Sequence, residues 1–82
     1  MSQYSIVDIM ANLNRQFLIF LGKKIRTERQ KMGVSQERLG EIAKVHRTYV
    51  GMVERGEKNI TINNICRFAQ ALKVQVRDLI DF

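Results

Sequence analysis

Apolar residues recur along this chain at helical spacing, interrupted at a few points by glycine or small polar residues. The pattern is sharpest from Ser35 to Gly56, SQERLGEIAKVHRTYVGMVERG. Apolar side chains fall there at Leu39, Ile42, Ala43, Val45, Val50 and Val53, predicting short helices at about 36–43 and about 46–54. Lys44-Val45-His46 form the corner between them, and Gly56 ends the second. Upstream, Ser5-Ile-Val-Asp8 fits a capping box, followed at helical spacing by Ile6, Ile9, Met10, Leu13 and Phe17. Asn14 could sit inside one long helix or cap a new one. A break there is preferred, with a short helix at about 5–12 and the next from about 15 to 32. That division makes residues 1–14 an N-terminal extension and residues 15–82 the main domain. Residues 1–4 carry no pattern and are expected to be loose. Phe17, Leu21, Ile25 and Met32 share one stripe, Gly33 suits a left-handed C-cap, and Ser35 suits the following N-cap.

Downstream, Glu57-Lys58-Asn59-Ile60 reads as a polar loop. Thr61 caps a helix at about 62–72 that buries Ile62, Ile65, Cys66, Ala69 and Leu72. A last short helix at about 76–81 offers Val76, Leu79, Ile80 and Phe82. The fold class expected is all-α.

A chain of 82 residues is one small domain. Its core is marginal, since about 60–65% of the unfolded surface is buried at this size, and dimerisation would help it. The single cysteine excludes an internal disulfide, and no Cys/His cluster could hold a metal or call for a cofactor. A reducing cytoplasm is the natural compartment. The longest apolar run, Phe17 to Leu21, is too short to span a bilayer, and no signal-peptide pattern is present. With one histidine, one cysteine and no paired carboxylates at useful spacing, there is no catalytic set, so an enzyme is not expected. Nothing suggests a sensing domain for a small-molecule effector. The net charge of +6 is unevenly placed: residues 17–56 hold nine Lys/Arg against four Asp/Glu. The basic excess thus coincides with the helix pair and suits phosphate, although a solvated basic face is the alternative.

A helix pair of this spacing docks on double-stranded DNA with its second helix in the major groove, N-terminal residues toward the bases. Arg47 could bind guanine O6 and N7 with two hydrogen bonds, and Thr48 offers a hydroxyl and a methyl. Met52, one turn on, suits apolar base contact, and His46 lies close enough to contribute. Ser35 and Gln36 stand at a helix N-terminus, where free N–H groups and the helix dipole favour a phosphate. Tyr49 could give its hydroxyl to a phosphate or bury its ring. Lys58 and Asn59 are further phosphate candidates in the polar loop. Cys66 is expected to act as a small buried hydrophobe.

The stretch Leu21 to Leu72 resembles the phage-repressor/Cro helix-turn-helix family, also called XRE. The carrying motifs are LGKKIRTERQKMGVSQERL, then YVGMVERG, then AQAL-V. The resemblance implies a compact five-helix repressor-like domain, here with a short extra N-terminal helix, that dimerises on palindromic operators. It implies a phosphate-contacting Gln36, base readers Arg47, Thr48 and Met52, and a largely buried ion pair between Arg29 and Glu54. Within the family, RTYVGMVERGEKNITINNICRFAQAL is most similar to controller proteins of restriction–modification systems. These bind tandem operators, activate their own and the endonuclease gene, then repress at higher concentration. The expected homodimer interface draws on Phe68, Val76, Leu79, Ile80 and Phe82, with the N-terminal helix as a further contributor. An antitoxin-type interaction module and an orphan XRE repressor are the alternatives. Two positions depart from the family pattern. Gly40 stands where alanine is usual, and Lys44 where the corner glycine is usual. Lysine disfavours the left-handed conformation, so a wider or strained corner is expected.

Overall fold

The structure, a computed structural model, describes residues 5–82; the expectation for residues 1–4 lies outside them. Five helices follow in order: α1 (Ile6–Met32), α2 (Gln36–Ala43), α3 (Arg47–Glu54), α4 (Ile62–Leu72) and α5 (Val76–Leu79). Among the described residues there is no strand.

Helix α1 opens on the predicted capping box. Ser5 Oγ accepts from the Asp8 N–H at 3.1 Å, and the Ser5 N–H donates to Asp8 Oδ2 at 3.4 Å. The helix then runs unbroken through Asn14, which corrects the expected division into a short helix and a separate α1. No proline or glycine lies near Asn14 to interrupt it. One interior asparagine costs a few tenths of a kcal/mol, whereas ending and renucleating a helix forfeits a whole turn of hydrogen bonds. The supposed extension and the first helix of the domain are therefore one rod, about 40 Å long at 1.5 Å per residue. Residues 5–17 are exposed along its projecting half, and the molecule measures 48 × 23 × 20 Å. Gly33 closes α1 in the left-handed conformation at φ 75°, as its position predicts.

The core lies between the C-terminal half of α1 and the other helices. Phe68, Leu21, Ile25, Leu39, Leu79 and Val50 are its largest fully buried side chains. Helix α1 crosses the end of α3 at Gly22, where a Cβ would meet the Val53 carbonyl oxygen and lie 2.6 Å from that of Glu54. Only a residue without a side chain permits that backbone approach. Phe68 and Leu79 belong to the protomer's own core, which removes both from the expected dimer interface. Each falls on an apolar face that neighbouring helices of the same chain already cover. Conversely Ile62, expected to be buried, is 77% exposed at the first position of α4. Cys66 is half-buried. At the C-terminus, Ile80 and Phe82 are exposed, and Phe82 rests on the rings of Phe17 and Phe20 at centroid distances of 5.5 and 5.3 Å.

Candidate nucleic-acid interface

The corner between α2 and α3 keeps its left-handed residue. Lys44 sits at φ 61°, ψ 44°, so the lysine is strained and the turn stays tight. For a non-glycine residue that conformation costs roughly 1–2 kcal/mol. The cap geometry offsets part of the cost: the Lys44 and Val45 N–H groups satisfy the Glu41 and Gly40 carbonyls at 3.3 and 2.9 Å. The second departure helps the first. A Cβ on Gly40 would lie 2.7 Å from the Val45 carbonyl oxygen, so the missing side chain lets the corner fold back on α2.

Helix α3 begins at Arg47, with His46 as its N-cap. The His46 Nδ1 accepts from the Thr48 N–H at 3.0 Å. This assigns His46 a structural bond that its residue type does not advertise, and leaves only Nε2 for an external contact. Arg47 and Thr48 are exposed on the first turn, with half-buried Met52 one turn beyond Thr48. Arg47 is engaged in the absence of a ligand: its Nη1 lies 3.2 Å from Glu37 Oε2, with both side chains mostly exposed. Glu37 belongs to α2, so this pair bridges the two helices.

At the start of α2, Ser35 Oγ accepts from the Arg38 N–H at 3.0 Å. The hydroxyl oxygen is thus a cap, and the helix N-terminus beyond it is what Ser35 presents. Gln36 faces α3. Its Nε2 donates to Glu54 Oε1 at 3.0 Å, leaving the second amide hydrogen uncommitted. Glu54 is the hub of a buried network. Arg29 Nε donates to its Oε2 at 2.6 Å and Nη2 to its Oε1 at 3.1 Å, while Nη1 reaches the Val34 carbonyl at 2.9 Å. The Glu54 side chain is 2% exposed and that of Arg29 13%. The Arg29–Glu54 pair implied by the family resemblance is present. Its extension to Gln36 and to the α1–α2 loop had no signal in residue spacing.

Tyr49 combines both readings offered for it. Its ring stacks on Phe68 at 6.3 Å, and its hydroxyl oxygen accepts from Asn64 Nδ2 at 2.9 Å. The phenolic proton remains available to donate outward. Lys58 and Asn59 are exposed in the loop between α3 and α4. Arg55 was not singled out from the sequence, yet it lines the same open groove as Ser35, Gln36, Arg47 and Thr48. It donates to Glu57 at 2.9 Å, and that hydrogen bond holds the Glu57 carboxyl below its ordinary value. Buried Gly51 also lines this groove, and a Cβ there would lie nearest the end of Arg55 and the Gln36 amide oxygen.

Comparison with known proteins settles what kind of scaffold this is. The helix-turn-helix family model HTH_3 matches residues 25–79, which span the C-terminal part of α1 and all of α2 to α5. The chain belongs to the HTH_3 family. Control protein C.BamHI of Bacillus amyloliquefaciens is 42% identical over 65 residues, covering 78% of this chain and 80% of that protein. Control protein C.SmaI of Serratia marcescens is 42% identical over 60 residues, 73% of this chain and 71% of the relative. Among solved structures, the restriction-modification controller protein C.AhdI from Aeromonas hydrophila superposes with a TM-score of 0.74 at 40% identity. That match covers 76% of this chain and 94% of C.AhdI. As an HTH_3 protein the chain is a DNA-binding transcription regulator of the controller type and not an enzyme. No helix among the described residues is long and apolar enough to cross a membrane.

Proposed function

We propose that this HTH_3 chain acts in the cytoplasm as a homodimer on palindromic operators, governing its own gene and a neighbouring restriction–modification gene. The observation that carries this is the ridge of exposed Arg47 and Thr48 with half-buried Met52 beside the N-terminus of α2, on a fold shared with control proteins. Arg47 leaves Glu37 to bind a guanine edge, and Thr48 and Met52 meet the neighbouring base pairs. His46 contributes through Nε2 alone. The backbone around Ser35, the free amide hydrogen of Gln36 and the Tyr49 hydroxyl take phosphates on one flank, and Arg55, Lys58 and Asn59 take others. The Arg29–Glu54–Gln36 network ties α1, α2 and α3 together, so base and phosphate contacts move as one rigid unit.

For dimerisation, the exposure of Ile80 and Phe82 supports a role at the two-fold, with half-buried Val76 behind them. A dimer places two copies of α3 about 34 Å apart, one turn of DNA. Selection of binding sites from random DNA at fixed salt tests the proposal. A two-fold symmetric site should emerge, and affinity should fall with salt at a slope of about −0.9 per phosphate neutralised. Equal binding to scrambled DNA overturns the reading.

A further inference from the structure

The projecting half of α1 lies outside the residues that match the HTH_3 family and does not line the groove of Ser35, Gln36, Arg47 and Thr48, although Arg15 borders Arg55 and Asn59. It carries Ile6, Met10, Leu13, Phe17 and Phe20, spaced by four, three, four and three residues. That alternation is the repeat of two helices packing side by side, with these residues at the seam positions. All five are exposed: Ile6 by 69%, Met10 by 62% and Leu13 by 60%, with Phe17 and Phe20 at 36% and 45%. Val7 and Ile9, beside the seam, are exposed as well. A monomer seldom leaves so long a contiguous apolar stripe in water.

We propose that this seam pairs α1 with α1 of a second copy of the chain, and so forms part of the interface of the homodimer on which the proposed function rests. Four observations favour a second copy. In coiled-coil pairs, the positions flanking the seam select the partner by charge. Here they are Val7, Ile9, Asn14 and Gln16, none of which repels an identical helix. The two charged residues between Ser5 and Phe20, Asp8 and Arg15, both lie on the outer face opposite the seam. The stripe is also continuous with the C-terminal patch, because Phe82 rests on Phe17 and Phe20, and Ile80 is exposed nearby in sequence. Finally, nine of the ten large hydrophobic side chains exposed among the described residues lie on this half of α1 or in the C-terminal patch it adjoins. A lipid surface fits less well, since helices lying on membranes carry Lys and Arg along their polar face.

Sedimentation velocity on the full chain, over a range of concentrations, tests the seam with the double variant Met10→Glu/Leu13→Glu. Glutamate is a good helix former and both sites are exposed, so helicity by circular dichroism should persist. Dimer dissociation should become at least about tenfold more favourable, because two apolar seam residues become charges. Ile62→Glu, at an exposed apolar residue on α4, should leave dimerisation unchanged. If the double variant dimerises like the wild type, the seam is wrong while the homodimer reading stands. If the wild type is monomeric and still selects its operator, both fail. A monomer that binds phosphatidylcholine–phosphatidylglycerol vesicles through α1 overturns the seam in favour of lipid.

Discussion

Replacing Glu54 by alanine removes the acceptor for three hydrogen bonds, two from Arg29 and one from Gln36. The carboxylate is 2% exposed and the guanidinium 13%, so water cannot take its place without opening the α1–α3 contact. Leaving one member of a buried pair uncompensated costs about 3–5 kcal/mol. An 82-residue domain has roughly 4–12 kcal/mol to lose, at 0.05–0.15 kcal/mol per residue. The variant should therefore sit at the edge of folding. Removing both charges by Arg29→Met with Glu54→Leu should cost far less than the two single changes added together, because no stranded charge remains. Urea unfolding reads this out, with protein concentration held constant because a dimer's stability depends on it. A Glu54→Ala loss below about 1 kcal/mol, or strict additivity in the double variant, refutes the account of the network as a buried, coupled unit.

Three further outcomes follow from particular positions. Gly22→Ala should destabilise by roughly 1–3 kcal/mol or more, since the new methyl meets the Val53 and Glu54 carbonyls; thermal melting checks it, and an unchanged Tm denies the close helix crossing. Lys44→Gly should raise stability by up to about 1 kcal/mol, relief of the left-handed strain exceeding glycine's added freedom in the unfolded chain; a lower Tm would place the value of Lys44 in its side chain. Arg47→Ala should relax preference at one base position per half-site while leaving the salt slope nearly intact, and an unaltered selected site removes Arg47 from base reading.

Much of the fold was legible because its signals are local. Ser5, Ser35 and Thr61 announce helix starts, and each hydroxyl accepts the expected N–H. Gly33 and Gly56 announce ends, and both take positive φ. Misreadings arose where a local signal had to stand for a tertiary one. Asn14 has the chemistry of a cap, but nothing around it ends the helix. The periodicity of α4 marks Phe68 as apolar without saying whether its own chain or a partner covers it, and it marks Ile62 as equally apolar although nothing covers it. His46 is not a favoured cap residue, yet its ring nitrogen does that work. At Lys44 the intrinsic preference was read correctly and the surrounding contacts override it. The residues proposed to face DNA were chosen through residue type and family pattern. Their engagement with one another, Arg47 with Glu37 and Gln36 with Glu54, needed three-dimensional proximity.

The Arg47–Glu37 pair bears on how such a protein searches a genome. An unattended arginine at the tip of α3 would cling to every phosphate it passed and slow one-dimensional scanning. With Glu37 at 3.2 Å, that arginine is held in a shallow trap worth at most about 1 kcal/mol at an exposed site. A passing phosphate must displace that carboxylate, which also repels the backbone itself. A guanine offering two acceptors in one plane competes well. If Arg47 reads a base as proposed, Glu37 would thus favour movement over non-cognate sequence and let the protein stop at its operator.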